Sequence, residues 1–82
     1  MIKNYLFFSQ LSCTKCPGVR EYFKTAGING KEIDTTNDEG FEEARKYKVM
    51  ATPTIILYGE SDNEIARAVG LEELKEAIKK NK

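Results

Sequence analysis

The chain has 82 residues, no histidine, and 13 basic side chains against 13 acidic ones, so its formal net charge at neutral pH is zero. This length predicts one domain over residues 1–82, without room for a second core. The balanced charge argues against a nucleic-acid partner, because binding a polyanion needs a basic excess. The lack of histidine excludes Ser-His and Cys-His catalysis and every histidine-based metal site.

Apolar runs in the chain are only a few residues long, so no membrane span is expected. The first residues, Met1 to Asn4, lead straight into a strand-like run and lack the features of a signal peptide. We therefore expect a monomeric cytoplasmic protein. In that reducing compartment a close cysteine pair is more often catalytic or metal-binding than a permanent cross-link.

The first predicted strand covers residues 2–9 (IKNYLFFS), whose nearly continuous apolar character is typical of a strand buried on both faces. A helix follows and ends at Gly27, a residue that readily adopts the left-handed conformation of a helix terminus. Its apolar stripe has helical spacing and consists of Val19, Tyr22, Phe23 and Ala26. A short second strand is predicted around Ile33, from Lys31 to Asp34.

A second helix is predicted after a capping box in residues 36–39 (TNDE), with Thr36 as the N-cap. The apolar pattern extends this helix to Lys48. Glu42 and Lys46 are spaced to form an ion pair on its surface.

The last third of the chain predicts two strands and a helix. Residues 54–58 (TIILY) read as a buried strand, and residues 64–69 as a strand near an edge that Gly70 ends. The connection between these strands is too short for a crossover, so they should form an antiparallel hairpin. The closing helix has the apolar stripe Leu71, Leu74, Ala77 and Ile78.

The predicted order is therefore βαβαββα. It indicates an α/β fold in which a four-stranded mixed sheet is flanked by three helices. Six aromatic residues are expected in the core: Tyr5, Phe7, Phe8, Tyr22, Phe23 and Phe41. Leu11 is a candidate exposed contact for a partner protein.

The two cysteines of the chain, Cys13 and Cys16, stand between the first strand and the first helix. A helix N-terminus offers unpaired N–H groups and a partial positive charge, so the pKa of Cys13 is expected to fall into the range of roughly 3.5 to 7.5. Lys15 adds a nearby positive charge, and Pro17 is tolerated in a first helical turn. This context favours an exposed nucleophile at Cys13 and a sheltered resolving cysteine at Cys16.

Two other interpretations of the pair stay open. It could form half of a zinc or iron–sulfur site, although such sites usually need four ligands and this chain has two thiols and no imidazole. It could also be a structural cross-link, although so short a loop constrains little chain entropy.

Pro53 directly precedes the strong strand at residues 54–58. A proline there can simply set the entry of the strand. Beside the cysteine pair we favour a cis Thr52–Pro53 bond, which would present the N–H and C=O of Thr52 to an extended substrate.

These motifs together, CTKC after a strand, ATPT before a strand and VG before the last helix, resemble the thioredoxin/glutaredoxin superfamily over the whole chain. The resemblance implies catalytic cysteines at Cys13 and Cys16 and a cis-proline at Pro53. It also implies Thr52 as a backbone contact for the substrate and Gly70 as a small residue near the substrate groove. Thr14, Lys15 and Pro53 are further candidate substrate-binding residues. No metal and no bound organic cofactor are expected.

Departures from the family patterns narrow the resemblance. CTKC replaces the CPYC or CPFC of glutaredoxins. Leu71-Glu72 stands where glutaredoxins have a polar pair that holds glutathione. Glu72 and Glu73 are candidates to take the place of that pair. Unlike thioredoxins, the chain has no tryptophan, and Phe7 occupies the place of their buried aspartate. The sequence is most similar to small thioredoxin-like glutaredoxins.

The expected function is the reduction of protein disulfides. Candidate targets include ribonucleotide reductase. The electron source would be an NADPH-dependent reductase of the thioredoxin-reductase type, or, as the alternative, glutathione. A metal–thiolate binding module is the second alternative.

Overall fold

Four strands form one mixed sheet in the computed structural model, which describes residues 2–81. They are β1 (Ile2–Ser9), β2 (Asn29–Asp34), β3 (Thr54–Gly59) and β4 (Glu64–Val69). Their order in the sheet is β2-β1-β3-β4. β2 runs parallel to β1, and the other two pairs are antiparallel. β4 therefore lies at an edge, as predicted.

Three helices complete the order βαβαββα: α1 (Cys16–Ala26), α2 (Asp38–Lys46) and α3 (Leu71–Lys80). The predicted fold class, a four-stranded mixed sheet with three flanking helices, is confirmed. α1 ends at Gly27, whose φ of 70° is in the left-handed region, as the sequence indicated.

The core has two parts because β1 and β3 are buried on both faces. Adjacent residues of a strand point to opposite faces, so Phe7 and Phe8 enter different clusters. The larger cluster packs β1 and β3 against α1 and α3: Phe7, Cys16, Val19, Phe23, Ile55, Leu57, Ala68, Leu74 and Ile78. The smaller one, on the α2 face, contains Phe8, Ala44 and Ile56.

The start of α2 differs from the prediction by one residue. Asn37, not Thr36, is the N-cap, and its Oδ1 accepts a hydrogen bond from the Gly40 N–H at 2.7 Å. Glu39 is thus one position too early to close a capping box. Thr36 is held in the preceding turn, where its N–H donates to Asp34 Oδ1 at 2.8 Å.

The end of α2 also differs from the prediction. The helix stops at Lys46, because Lys48 has a φ of 59° and cannot continue a right-handed helix. The predicted ion pair between Glu42 and Lys46 does not occur; Glu42 instead accepts from Arg45 at 3.3 Å.

Phe41 and the start of β2 require two further corrections. Phe41 is 56% exposed and not in the core, because α2 turns Gly40 and Ala44 toward the sheet. β2 begins at Asn29, two residues before the predicted start, since pairing with β1 extends to this residue. Of the other aromatic residues predicted in the core, Tyr5 and Tyr22 are only half-buried.

We predict opposite effects of alanine at two helical glycines. A Cβ at Gly40 would overlap the backbone oxygen of Asp34, so Gly40→Ala should lower the free energy of unfolding by about 1–3 kcal/mol. A Cβ at Gly18 of α1 would have Leu71 Cδ2 as its nearest contact at 4.0 Å, so Gly18→Ala should raise stability by about 0.5–1 kcal/mol. Denaturant unfolding of both variants measures the difference. Equal stabilities would show that α2 does not lie this close to β2.

Candidate active site

Cys13 and Cys16 form a disulfide with a Cα–Cα distance of 5.5 Å. Cys13 is half-buried in the loop after β1, where its N–H donates to Gln10 O at 3.1 Å. Cys16 is the first residue of α1 and only 1% exposed, packed in the larger core cluster with Phe7 and Val19. The outer sulfur can therefore be reached by a partner, whereas the inner sulfur is shielded.

The N-terminus of α1 faces this disulfide without a side-chain cap. Its N-cap residue, Lys15, makes no capping hydrogen bond, and the first turn contains no acidic residue. Pro17 lies in that turn, as predicted. The backbone amide groups and the helix dipole at this end are therefore free to stabilise negative charge on a reduced Cys13. The lowered pKa of Cys13 remains a prediction. Thr14 and Lys15, the predicted substrate contacts between the cysteines, are exposed.

Hydrogen bonds tie the cysteine loop to the segment between β2 and α2. Ser9 O accepts from both the N–H and the Oγ1 of Thr35, at 2.7 and 2.8 Å. Leu11 N–H donates to Thr36 Oγ1 at 3.0 Å. Thr36, which the sequence suggested as a helix cap, therefore anchors the cysteine loop.

The Thr52–Pro53 bond is cis, as the favoured interpretation expected. Pro53 is buried and Thr52 half-buried. Pro53 O accepts from Gly70 N–H at 3.0 Å, which brings these predicted substrate contacts together. Gly70 has a φ of 91°, and no atom would lie within 4 Å of a Cβ at this position, so the space beside it is open.

A polar cluster that the sequence did not predict lies beside the disulfide. Arg20 of α1 binds the Glu32 carboxylate of β2 with two hydrogen bonds, from Nε to Oε1 at 2.8 Å and from Nη2 to Oε2 at 2.6 Å. Ser9 at the end of β1 is buried and donates from Oγ to Glu32 Oε2 at 2.6 Å. These three residues and both cysteines line one cavity of about 200 Å³.

Hydrogen bonding to Arg20 holds the pKa of the Glu32 carboxyl below its ordinary value, and partial burial opposes this shift. The side chains of Glu32 and Arg20 are 31% and 46% exposed. The carboxylate therefore remains ionised at neutral pH. Because it is partly exposed, it contacts both the cavity and the solvent.

Strand pairing explains why sequence analysis missed this cluster. Glu32 lies opposite Phe7 in the parallel register of β1 and β2, and Asp34 lies opposite Ser9. Arg20 is four residues after Cys16, which places both on one face of α1. The α1 spacing was visible in the sequence, but the register that brings Glu32 under the helix was not.

Three large apolar side chains are exposed around the site. Leu11, in the cysteine loop, is 83% exposed, in agreement with its predicted accessibility. Met50 is 93% exposed, and together with Phe41 and Thr52 it lines a second cavity of about 330 Å³.

Residues 2–81 contain neither a cluster of metal-binding side chains nor a helix that could span a membrane. In this range no three side chains with carboxylate, thiol or imidazole groups are grouped so that they could hold a metal ion. None of its helices has the length and apolar character needed to cross a membrane.

Comparison with known proteins identifies the family. A family model described as a thioredoxin domain matches residues 7–80. The chain belongs to the thioredoxin domain family. An SPbeta prophage-derived thioredoxin-like protein of Bacillus subtilis is 32% identical over 72 residues, which are 85% of this chain and 88% of that protein.

Thioredoxin structures from distant organisms share this domain fold. Thioredoxin 1 of Thermosipho africanus has a TM-score of 0.73 at 21% identity, over 95% of this chain and 92% of that one. Oxidised thioredoxin O2 of Arabidopsis thaliana has a TM-score of 0.79 at 17% identity, over 96% of this chain and 74% of that one. At these identities the likeness concerns the fold alone.

We predict that the Arg20–Glu32 pair makes stability depend on pH in the acid range. Because pairing lowers the folded-state pKa of Glu32, the stabilisation is complete above its ordinary value of 4.5 and is lost as the pH falls through the lower folded-state pKa. Glu32→Gln should cost about 0.5–1 kcal/mol of unfolding free energy at pH 7, and this difference from wild type should shrink toward zero in acid.

Glu21→Gln is the matched control for that measurement. Glu21 pairs with Lys24 on the surface of α1, where both side chains are more than half exposed. Urea unfolding of the three proteins from neutral to acid pH checks the prediction. A loss in Glu32→Gln that is the same at every pH would contradict it.

Proposed function

We propose that this protein is a dithiol–disulfide oxidoreductase that reduces protein disulfides through Cys13 and Cys16, without a bound cofactor. The observation that carries the proposal is the disulfide at the uncapped N-terminus of α1, with Cys13 accessible and Cys16 buried. A thiolate at such a position is stabilised where a partner can reach it, and its resolving thiol is kept from competing reactions.

The reaction has two exchange steps. The Cys13 thiolate attacks one sulfur of the substrate disulfide, and the other substrate sulfur leaves as a thiolate. Cys16 then attacks the Cys13 sulfur, so the Cys13–Cys16 bond forms and the bond to the substrate breaks. The substrate disulfide gains two electrons, the two protein thiols lose them, and a reductase must restore the thiols.

Thr52 and Gly70 are proposed to hold the substrate beside the cysteines. The hydrogen bond from Gly70 to Pro53 joins the two backbone segments, and open space beside Gly70 leaves room for an extended chain. The N–H and C=O of Thr52 would pair with that chain as one residue of β-sheet. Thr14 and Lys15 would contact it from the cysteine loop.

Two observations support protein disulfides, and not glutathione, as the proposed substrates. Leu11 and Met50 expose apolar surface that a protein partner would cover. Glu73, a candidate for binding glutathione, already accepts a hydrogen bond from Val69 N–H at 2.9 Å. We therefore propose an NADPH-dependent reductase of the thioredoxin-reductase type as electron donor, a cytoplasmic location, and targets such as ribonucleotide reductase.

We predict different outcomes for serine at the two cysteines. Cys13→Ser should abolish reduction of a protein disulfide such as that of insulin, because the accessible nucleophile is lost and the remaining thiol, Cys16, is buried. Cys16→Ser should accumulate a covalent complex with the substrate, because the mixed disulfide is no longer resolved. Non-reducing electrophoresis and mass spectrometry detect the complex. Normal turnover by Cys16→Ser would contradict the resolving role.

The electron source can be tested by comparing two assays. Insulin reduction should be faster with NADPH and a thioredoxin reductase than with glutathione and glutathione reductase. Turnover in the second assay alone would favour the glutathione-dependent alternative. Stoichiometric metal in protein purified without oxygen, with no disulfide reduction in either assay, would favour the metal–thiolate module instead.

A further inference from the structure

The reduction proposed above leaves the proton of Cys16 to be accounted for. Burial in apolar surroundings favours the neutral thiol over the thiolate, so Cys16 carries a proton until it attacks Cys13. The core cluster to which Cys16 belongs is apolar, with Phe7 and Val19 among its other members. The proton must therefore leave on the side of the cavity that both cysteines line.

Glu32 is a carboxylate on that side whose position is fixed by its hydrogen bonds. Its carboxylate shares the cavity with Cys13 and Cys16, and a volume of about 200 Å³ has room for water to connect them. Arg20 and Ser9 fix its orientation with three hydrogen bonds of 2.6–2.8 Å. Asp34 also lines the cavity, but its Oδ1 accepts the backbone N–H of Thr36 in the following turn.

We propose that Glu32 accepts the proton of Cys16 during resolution of the mixed disulfide. Cys16 gives up its proton as its sulfur attacks Cys13, and the bond from Cys13 to the substrate breaks. The proton passes to the Glu32 carboxylate and from there to solvent, where the departing substrate thiolate can take it up. This inference rests on the proposed function and adds a residue to its second step.

The ion pair with Arg20 suits such a relay. It keeps Glu32 ionised at neutral pH and therefore able to accept a proton and pass it on to water. The same lowering of the pKa makes Glu32 a weaker base than a carboxylate tuned toward neutral pH. Partial exposure of both side chains opens the way to the solvent. Other titratable groups near Glu32 are Tyr5 of β1 and, lining the same cavity, Asp34 and the two cysteines. Another cavity, bordered by α2, is lined by Glu32 together with Lys31, Asp38, Glu39, Glu42 and Glu43.

A reagent that reports the two exchange steps separately tests the proposal. Reduced protein is mixed in a stopped-flow instrument with one equivalent of 5,5′-dithiobis(2-nitrobenzoate), which releases a coloured thiolate at each step. The first release follows attack by Cys13, and the second follows resolution by Cys16. The proteins compared are wild type, Glu32→Gln, Asp34→Asn and Glu21→Gln.

The second release should be at least roughly 10²-fold slower in Glu32→Gln than in wild type near pH 6.5, as expected when a general base is removed. The first release should change far less. As the pH rises well above the ordinary range of a free thiol, the two proteins should converge, because Cys16 then ionises without an acceptor. A merely structural role of Glu32 would not produce this convergence. Asp34→Asn and Glu21→Gln should resolve like wild type.

A second release that is unchanged or faster in Glu32→Gln would overturn the proposal. So would a release that slows in Asp34→Asn and not in Glu32→Gln. If Glu32→Gln does not fold, Glu32→Thr removes the same carboxylate on an edge strand that tolerates threonine. Failure of the proposed function looks different, since the first release in wild type would then be no faster than that of free cysteine.

Discussion

The burial of Cys16 at the first residue of α1 is the constraint on which the rest of the site depends. The side chain belongs to the core cluster that also holds Phe7 and Val19, so α1 cannot shift along the sheet without disturbing that packing. Three residues earlier, Cys13 is kept within bonding distance by the loop that Gln10 and Thr36 hold in place. The sulfur of Cys16 is thus part of the core, while the sulfur of Cys13 lies at the surface.

The fold could be predicted from the sequence because its local and long-range patterns agree. The apolar run of residues 2–9 required burial on both faces, and the clusters around Phe7 and Phe8 supply it. The helical stripe that ends at Gly27 gave the extent of α1 closely. The positions of both cysteines and of Pro53 relative to the strands and helices could also be predicted, since each lies at a junction between a loop and a regular element.

Other features depended on contacts that no local pattern contains. The start of α2 moved by one residue because Asp34 holds Thr36 in a turn, and Phe41 is exposed because Gly40 provides the close approach to β2. The Glu32 cluster required knowledge of strand register. In the sequence, Phe7 stands where thioredoxins have a buried aspartate, which predicted a site without an acidic group beneath the cysteines. The neighbouring strand places a carboxylate opposite that same phenylalanine.

The two edge strands of the sheet, β2 and β4, carry charged residues that oppose association between molecules. With equal numbers of acidic and basic groups, the chain has no net charge to repel other copies at neutral pH. Its exposed sheet borders nevertheless carry charges, Lys31 and Glu32 on β2 and Glu64 and Arg67 on β4. Such charges disfavour pairing between the borders of two molecules, because association would bury them. The groups that oppose aggregation through the sheet therefore lie on its two edge strands, and not in an overall net charge.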